Sequence, residues 1–317
     1  MGLQSGLEVY QISLNKTGML TRILKQKELF IMLLPGLLFF LIFHYSPMLG
    51  LVIAFKDYNP VQGFLGSEWV GLKYFKQMFS YTEFWQVLRN TLIIGGYKIV
   101  IGSPISLILA LMFNELRISI LKRSLQSLIY LPHFFSWVIL GGMLIQVLSP
   151  GSGIINEVLK ASGLETIYFL ADSFWFRPTL IASTIWKEMG WGTIIYLAAL
   201  SGIDPQLYEA SHIDGAGKWK QTIFITIPML IPIFVIIMIL RLGSVLGMDS
   251  FEQVLVLLTP VVYDVGNIID NYVYKQGLLN GNFSYSAAVS VFKAVVAFIL
   301  VYSTNLLSRK LTDSSLW

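Results

Sequence analysis

Long apolar runs separated by shorter polar stretches recur along the whole chain. They lie at about 29–55, 87–113, 125–148, 179–201, 228–247 and 286–308, each long enough to cross roughly 30 Å of hydrocarbon, which takes about 20 residues of helix. Backbone polar groups in lipid must be satisfied internally, so such runs are helices or strands of a closed barrel. The absence of two-residue alternation selects helices. The pattern predicts an all-α polytopic membrane protein with six transmembrane helices. One membrane domain would cover 29–308, flanked by tails at 1–28 and 309–317. The first run follows Lys16, Arg22, Lys25 and Lys27 and ends without a small-residue cleavage pattern, so it is predicted to be a retained span.

Composition agrees with this pattern. Hydrophobic residues make up 55% and charged residues 13%, the latter about half the share of a soluble domain. With the N-terminus in the cytoplasm, the inner segments hold eleven Lys and Arg against seven outside, which predicts an N-in, C-in orientation. There is no cysteine, hence no disulfide framework, thiolate nucleophile or cysteine metal site. The formal charge of +4 is not gathered into a basic stripe with interleaved aromatics, so nucleic acid is not an expected partner. His44, His133 and His212 do not have metal-ligand spacing, and no hydroxyl, carboxylate and histidine assemble from sequence into a catalytic group. No catalytic or metal site is predicted.

The polar stretch 202–227 carries the strongest local signal. Asp204 is placed to cap a helix whose first position is Pro205, where the missing N–H costs nothing. This helix is predicted to run to about Ala216, with Tyr208, His212 and Ile213 near one another and Glu209 beside them. Gly215 and Gly217 permit a sharp reorientation, and Pro228 opens the next span. A surface helix that turns back at a membrane face has a shape suited to docking in a groove of a soluble partner. The chain lacks a G-x-x-x-x-G-K-[ST] phosphate loop, so energy for active transport would come from another subunit.

Glu209-Ala210-Ser211, Asp214-Gly215-Ala216 and Ile227-Pro228 closely resemble the EAA coupling loop in permease subunits of carbohydrate-type ABC importers. Ser211 stands where that family usually has a second alanine, and Ile227 where leucine commonly precedes the proline. Trp69-Val70-Gly71-Leu72-Lys73-Tyr74-Phe75, Arg89-Asn90-Thr91 and Leu131-Pro132 resemble further family segments. The resemblance implies the type I ABC importer permease fold, in the subgroup that takes up oligosaccharides or polysaccharides. It also implies a bacterial or archaeal cytoplasmic membrane and a set of partners. These are a second homologous permease subunit, two ATPase subunits carrying ATP and Mg, and an extracytoplasmic solute-binding protein that delivers the saccharide. No cofactor would be bound by this chain. Tyr208, Glu209, Ala210, His212, Asp214, Gly215, Ala216 and Pro228 would form the coupling element. Within it, Glu209 would engage the ATPase groove, Asp214 would steady the helix and Gly215 would allow its turn.

Five charged residues fall in or near the predicted spans: Lys98, Lys187, Glu188, Arg241 and Lys293. Charge at membrane depth is costly unless it is paired, snorkelling or solvated in a cavity, so each is a pathway candidate. Lys187 and Glu188 point about 100° apart on a helix and are not expected to pair with each other. The basic excess suits an anionic solute such as a uronic-acid saccharide. Phe134, Phe135, Trp137, Trp186, Trp191 and Tyr196 offer flat apolar faces for the C–H side of a sugar. Asp249, Glu252, Asp264 and Asp270 in the outer segment 248–285 are candidates for docking a basic surface. Other solutes, such as a polyol or sugar phosphate, are compatible with the same family. An intramembrane enzyme acting on lipid-linked sugar and an ion-coupled secondary transporter are the alternatives of other classes, and the coupling loop argues against both.

Overall fold

The computed structural model describes residues 27–244 and 250–312. The tail up to Gln26, Asp249 of the outer acidic set and the last five residues of the C-terminal tail lie outside the described residues. The chain divides into two compact units, Met1–Val52 and Ile53–Trp317. In the first, α1 (Lys27–Phe40) continues through a π-turn at Leu41–Tyr45 and a short helix at Ser46–Met48 into a 3-10 stretch, Leu49–Phe55, that enters the second.

The second unit is all-α apart from a small ribbon in which β1 (Lys56–Asp57) pairs antiparallel with β2 (Glu68–Trp69). Helix α2 (Lys73–Ser80) leads into α3 (Thr82–Glu115), and α4 (Ser119–Tyr130) is followed by α5 (Trp137–Val147). Next come α6 (Ile154–Ala161), α7 (Ser173–Ser201) and α8 (Pro205–Ile213). Lys218–Gln221 and a π-turn at Thr222–Thr226 run into α9 (Ile227–Ser244). After α10 (Phe251–Leu257) and α11 (Ile269–Tyr274), α12 (Phe283–Thr312) closes the chain.

Among the described residues, four helical runs are long and apolar enough to cross a membrane: Lys27–Phe55, Thr82–Glu115, Lys218–Gly243 and Phe283–Lys310. The count becomes five if the pair Ser119–Phe134 and Trp137–Val147 is one span. This is an all-α polytopic membrane protein, but where six transmembrane helices were expected, four, or five with the bent pair, are found among the described residues. The run 125–148 is not one straight helix, because the two parts of the pair meet at 105°. Pro132 supplies no N–H and its ring opposes continuation of the helix, while the Ser136 side chain accepts from Ile139 N–H and starts α5 afresh. Helix α7 has the length of a span, about 43 Å at 1.5 Å per residue. It carries Arg177, Lys187 and Glu188, which lower its apolarity.

Helix α3 is the spine of the unit, contributing to three hydrophobic clusters in succession. Phe84 and Val87 pack with Met78, Tyr272, Tyr285 and Val289; Ile94 packs with Phe176, Leu180 and Val254; Ala110 packs with Tyr196, Leu200 and Leu230. Both α3 and α7 traverse the second and third clusters in the same order. Their polar contacts keep the same register, since Arg177 reaches Asn90 and Thr193 reaches Ser106, each 87 residues away. The two helices are therefore parallel, and the chain between them must return over the same length. Helix α9 runs the opposite way, with Leu230 beside Ala110 and Arg241 near Gly102.

Close packing sets one strict requirement where α7 crosses the end of α4. A Cβ added at Gly190 would sit 2.4 Å from the carbonyl oxygen of Ile129, and a backbone atom has little freedom to yield. Gly190→Ala is expected to lower stability by about 1–3 kcal/mol, visible as a reduced thermal-unfolding midpoint of the detergent-purified protein. An unchanged midpoint would show that α4 and α7 do not approach this closely.

Candidate functional site

A cavity of about 610 Å³ opens between α3, α5, α7 and α9, and it gathers much of the charge that the sequence places within the spans. Lys98, Lys187, Glu188 and Arg241 line it, as do Trp137 and Trp191. His133 also lines it. Among the described lining residues, three basic groups stand against one carboxylate, so this part of the wall favours a negatively charged or strongly hydroxylated guest over a cation.

Each charged group is held by a different device. Lys187 is buried on α7 and reaches into the break between α4 and α5, where its Nζ donates to His133 O at 2.9 Å and Phe135 O at 2.6 Å. The Phe135 carbonyl would accept from Ile139 N–H in a continuous helix, but that N–H is taken by Ser136 Oγ. Buried backbone groups without partners are costly, and Lys187 supplies what the break removes. Its Nζ also lies 5.7 Å from the centroid of the Trp137 ring. Glu188 turns elsewhere, as adjacent positions on a helix require, and its Oε2 lies 3.4 Å from His133 Nδ1. The His133 ring stacks on Trp191 at 4.6 Å, the two planes nearly parallel at 6°.

Lys98 on α3 is held by α10. Its Nζ donates to Ser250 Oγ at 2.9 Å and Gln253 Oε1 at 2.5 Å. Gln253 is fully buried; Oε1 also accepts from Thr184 Oγ1, and Nε2 donates to Leu180 O and to Ser183 Oγ. One amide thus ties α3, α7 and α10 together. Arg241 sits where glycine lets it approach: Cβ atoms built at Gly102 and Gly192 would lie 3.6 Å and 3.3 Å from its guanidinium.

Several sequence candidates lie elsewhere. Lys293 is ion-paired with Asp270 between α12 and α11, outside the cavity lining. The same pair corrects the docking expectation for Asp270, which is buried, while Glu252 and Asp264 are exposed. Tyr196 is in the third core cluster, and Trp186 faces a separate apolar hollow with Leu144 and Trp175. Phe134 and Phe135 are exposed and do not line the cavity. Conversely, sequence reading considered His133 only as a metal ligand and passed over Thr184, Ser250 and Gln253. An amide within the apolar stretch Phe251–Leu257 was the available signal for Gln253.

At the other end of α3, α8 forms with Asp204 Oδ1 accepting from Gln206 N–H at 2.9 Å. It ends at Ile213, short of the expected Ala216, and Ala216 N–H closes the turn onto Ser211 O. Gly215 makes the reversal with φ +76°, whereas Gly217, expected to share it, has φ −72° and an extended backbone. Tyr208 and Thr226 share a hydroxyl hydrogen bond of 2.9 Å, and Gln221 Nε2 donates to Ser211 Oγ at 3.0 Å. Serine at 211 thus takes part in fastening α8 to the base of α9. Glu209, Ala210, His212 and Asp214 are exposed, as is Gly215 at the turn; Ile213 is 87% exposed and Trp219 76%.

The profile of the family described as binding-protein-dependent transport system inner membrane component matches residues 102–313. The polygalacturonan/rhamnogalacturonan transport system permease protein YteP of Bacillus subtilis is 46% identical, with the alignment covering 94% of this chain and 93% of that one. The lactose transport system permease protein LacF of Rhizobium radiobacter is 31% identical over 82% of this chain and 92% of that protein. Among solved structures, a bacterial ABC transporter involved in import of the acidic polysaccharide alginate has a similar chain. The two are 38% identical with a TM-score of 0.85, over 92% of this chain and 99% of that one.

Replacing Lys187 tests the organisation of the cavity wall. Lys187→Met should cost about 1–3 kcal/mol for each carbonyl left without a partner, lowering the thermal midpoint, and Lys187→Arg should recover part of the loss. Equal midpoints for wild type and Lys187→Met would show that the break does not depend on this contact.

Proposed function

The chain belongs to the family of binding-protein-dependent transport system inner membrane components, and from that premise we propose that it is the permease half-site for an anionic oligo- or polysaccharide. The cavity wall carries this reading: among its described residues Lys98, Lys187 and Arg241 outnumber Glu188, beside two indoles. Such a wall offers charge for uronate carboxylates and flat apolar surface for sugar rings. Relatives named for polygalacturonan and alginate support the same class, while the lactose relative keeps a neutral saccharide as the reading to be tested against it.

In this proposal the bent pair α4/α5 is one span and α7 another, giving six with α1. The parallel register of α3 and α7 supports that count, because an odd number of crossings must separate them. The positive-inside bias favours an orientation with both termini and α8 in the cytoplasm of a bacterial or archaeal cell. Residues 29–308 then form the membrane domain, with 202–227 as its coupling loop. Partners are a second permease subunit, two ATPase subunits that bind ATP and Mg, and a solute-binding protein on the outer face.

Tyr208, Glu209, Ala210, His212, Asp214, Gly215, Ala216 and Pro228 couple this chain to the ATPases. Glu209 and His212 meet the ATPase groove, while Tyr208 holds α8 to α9 through Thr226. Closure of the ATPases on ATP would pull α8, and the ties to Thr226 and Gln221 would transmit the movement to α9. Arg241 rides on α9 in the cavity wall, so the same displacement changes the grip on solute. Such a device needs two rigid arrangements that both sites bias.

The test is ATP hydrolysis by the complete complex in lipid, with trigalacturonate or a neutral trisaccharide presented by the binding protein. Trigalacturonate should stimulate turnover, and Glu209→Ala should abolish the stimulation. Arg241→Gln should raise the half-maximal trigalacturonate concentration about tenfold, the loss of one hydrogen bond to a charged group. Equal stimulation by both saccharides removes the anionic reading. Failure of the chain to recruit an ATPase removes the importer reading altogether.

A further inference from the structure

A second polar hollow, of about 290 Å³, lies at the end of α3 opposite the coupling loop, between β1, α2 and the start of α12. Its lining includes the carboxylate of Asp57, the carboxamides of Gln77, Gln276 and Asn282, and the phenols of Tyr58 and Tyr81. No Lys, Arg or His is among the described lining residues. It therefore differs in kind from the membrane cavity, being rich in hydroxyl-recognising groups and lacking a lining cation to attract a free carboxylate or phosphate.

The hollow is rigidly built. Asp57 Oδ1 accepts from Tyr74 Oη at 2.6 Å and Oδ2 from Lys73 Nζ at 3.0 Å. Those bonds, the Tyr74 one foremost, hold the Asp57 carboxyl below its ordinary pKa. Burial, reinforced by Asp57, pushes Tyr74 up to about 12, so the phenol remains a donor to Asp57 across ordinary pH. A carboxylate oxygen has more than one acceptor direction, and each oxygen of Asp57 retains capacity for a sugar hydroxyl. Gly281, at φ +73°, shapes the turn on the other side. There Asn282 donates through its backbone to Gln276 O at 2.9 Å and through Nδ2 to Gln276 Oε1 at 3.1 Å. Behind this wall the Tyr272 and Tyr285 hydroxyls are bonded at 2.8 Å. Tyr58 is fixed by ring contacts with Phe64 and Phe283, and its N–H donates to Ser284 Oγ. Groups held in place before binding lose little freedom when a ligand arrives.

We propose that this hollow is an outer saccharide subsite, in which the carboxamides and Asp57 take the hydroxyls of one sugar ring while Tyr58 and Tyr81 border its C–H face. Its volume is near the lower end of small-molecule sites, about 300 Å³, which suits one ring of a longer chain. A more open hollow of about 480 Å³, lined by Asn59, Gln62 and Glu68, shares Asp57 and Tyr58 with it and offers room for the neighbouring sugar. The inference rests on the saccharide-import reading and adds to it a division of labour. Hydroxyls are read at the outer end of α3 and carboxylates within the membrane cavity.

Photo-crosslinking of the reconstituted complex with diazirine-bearing trigalacturonate tests this, with labelled peptides mapped by mass spectrometry. Labelling is expected on peptides spanning 57–81 and 276–285 as well as on cavity peptides. Gln77→Leu should reduce the outer labelling relative to the cavity labelling about fivefold, the loss of one neutral hydrogen bond; Tyr81→Ala, which removes the ring that borders the sugar, should reduce it in the same direction. Cavity labelling alone, or outer labelling indifferent to both substitutions, overturns the subsite and leaves the importer reading intact. No labelling at either place, together with unstimulated ATP hydrolysis, overturns both.

Discussion

The contact between Lys187 and the broken segment 131–136 is the constraint on which the cavity depends. Pro132 interrupts a run that would otherwise continue towards Val147, and an interrupted helix leaves carbonyls that the neighbouring turns cannot serve. Lys187 serves two of them. The break turns α5 by 105° from the preceding helix, opening a hollow bordered by His133, Trp137 and Trp191. A charge that looks like a recognition element is thus also the keystone of the wall it stands in. Glu188, one residue on, takes the other face and meets His133 from the cavity side.

Around that hollow the fold is organised by shared register. Helices α3 and α7 run side by side in the same direction, joined by Asn90 with Arg177 at one end and Ser106 with Thr193 further along. Glycine at 190 and 192 lets α7 approach the backbone of Ile129 and the side chain of Ser106. The amide of Gln253 then locks α10 to both helices while placing Lys98 at the cavity. Four side-chain hydrogen bonds on a fully buried glutamine make a structural joint, and the same joint aims a cation. Stability and recognition are carried by the same residues, so substitutions in this wall will seldom affect only one of them.

The regions at the two ends of α3 have different chemistry. At one end, α8 presents Glu209, His212 and Ile213 outward and is tied by Tyr208 and Gln221 to the base of α9. At the other, a neutral cup of amides, phenols and one partnered carboxylate stands apart from the cationic cavity. In the proposed transport cycle these would be successive stations for solute on one side and the source of movement on the other, with α9 joining coupling loop to cavity.

The sequence by itself determined the all-α membrane character, because repeated apolar runs have no other stable form in lipid. It also determined the helix start at Asp204-Pro205 and the reversal at Gly215, where local backbone chemistry leaves little choice. The family was legible from the same stretch, since Glu209 to Ala216 and Ile227-Pro228 lie together within and at the end of one short polar segment. Tertiary structure decided which charges share a site. Lys98, Lys187, Glu188 and Arg241 come from three helices, and their meeting depends on register, on glycine contacts and on the break at Pro132. Nothing in the residue types separates these from Lys293, which pairs instead with Asp270. Hydropathy reports the mean polarity of a segment and not the direction of its side chains. It therefore read 125–148 as one span, and it could not foresee that Gln253 joins α10 to α3 and α7, or that Ser211 fastens α8 to Gln221.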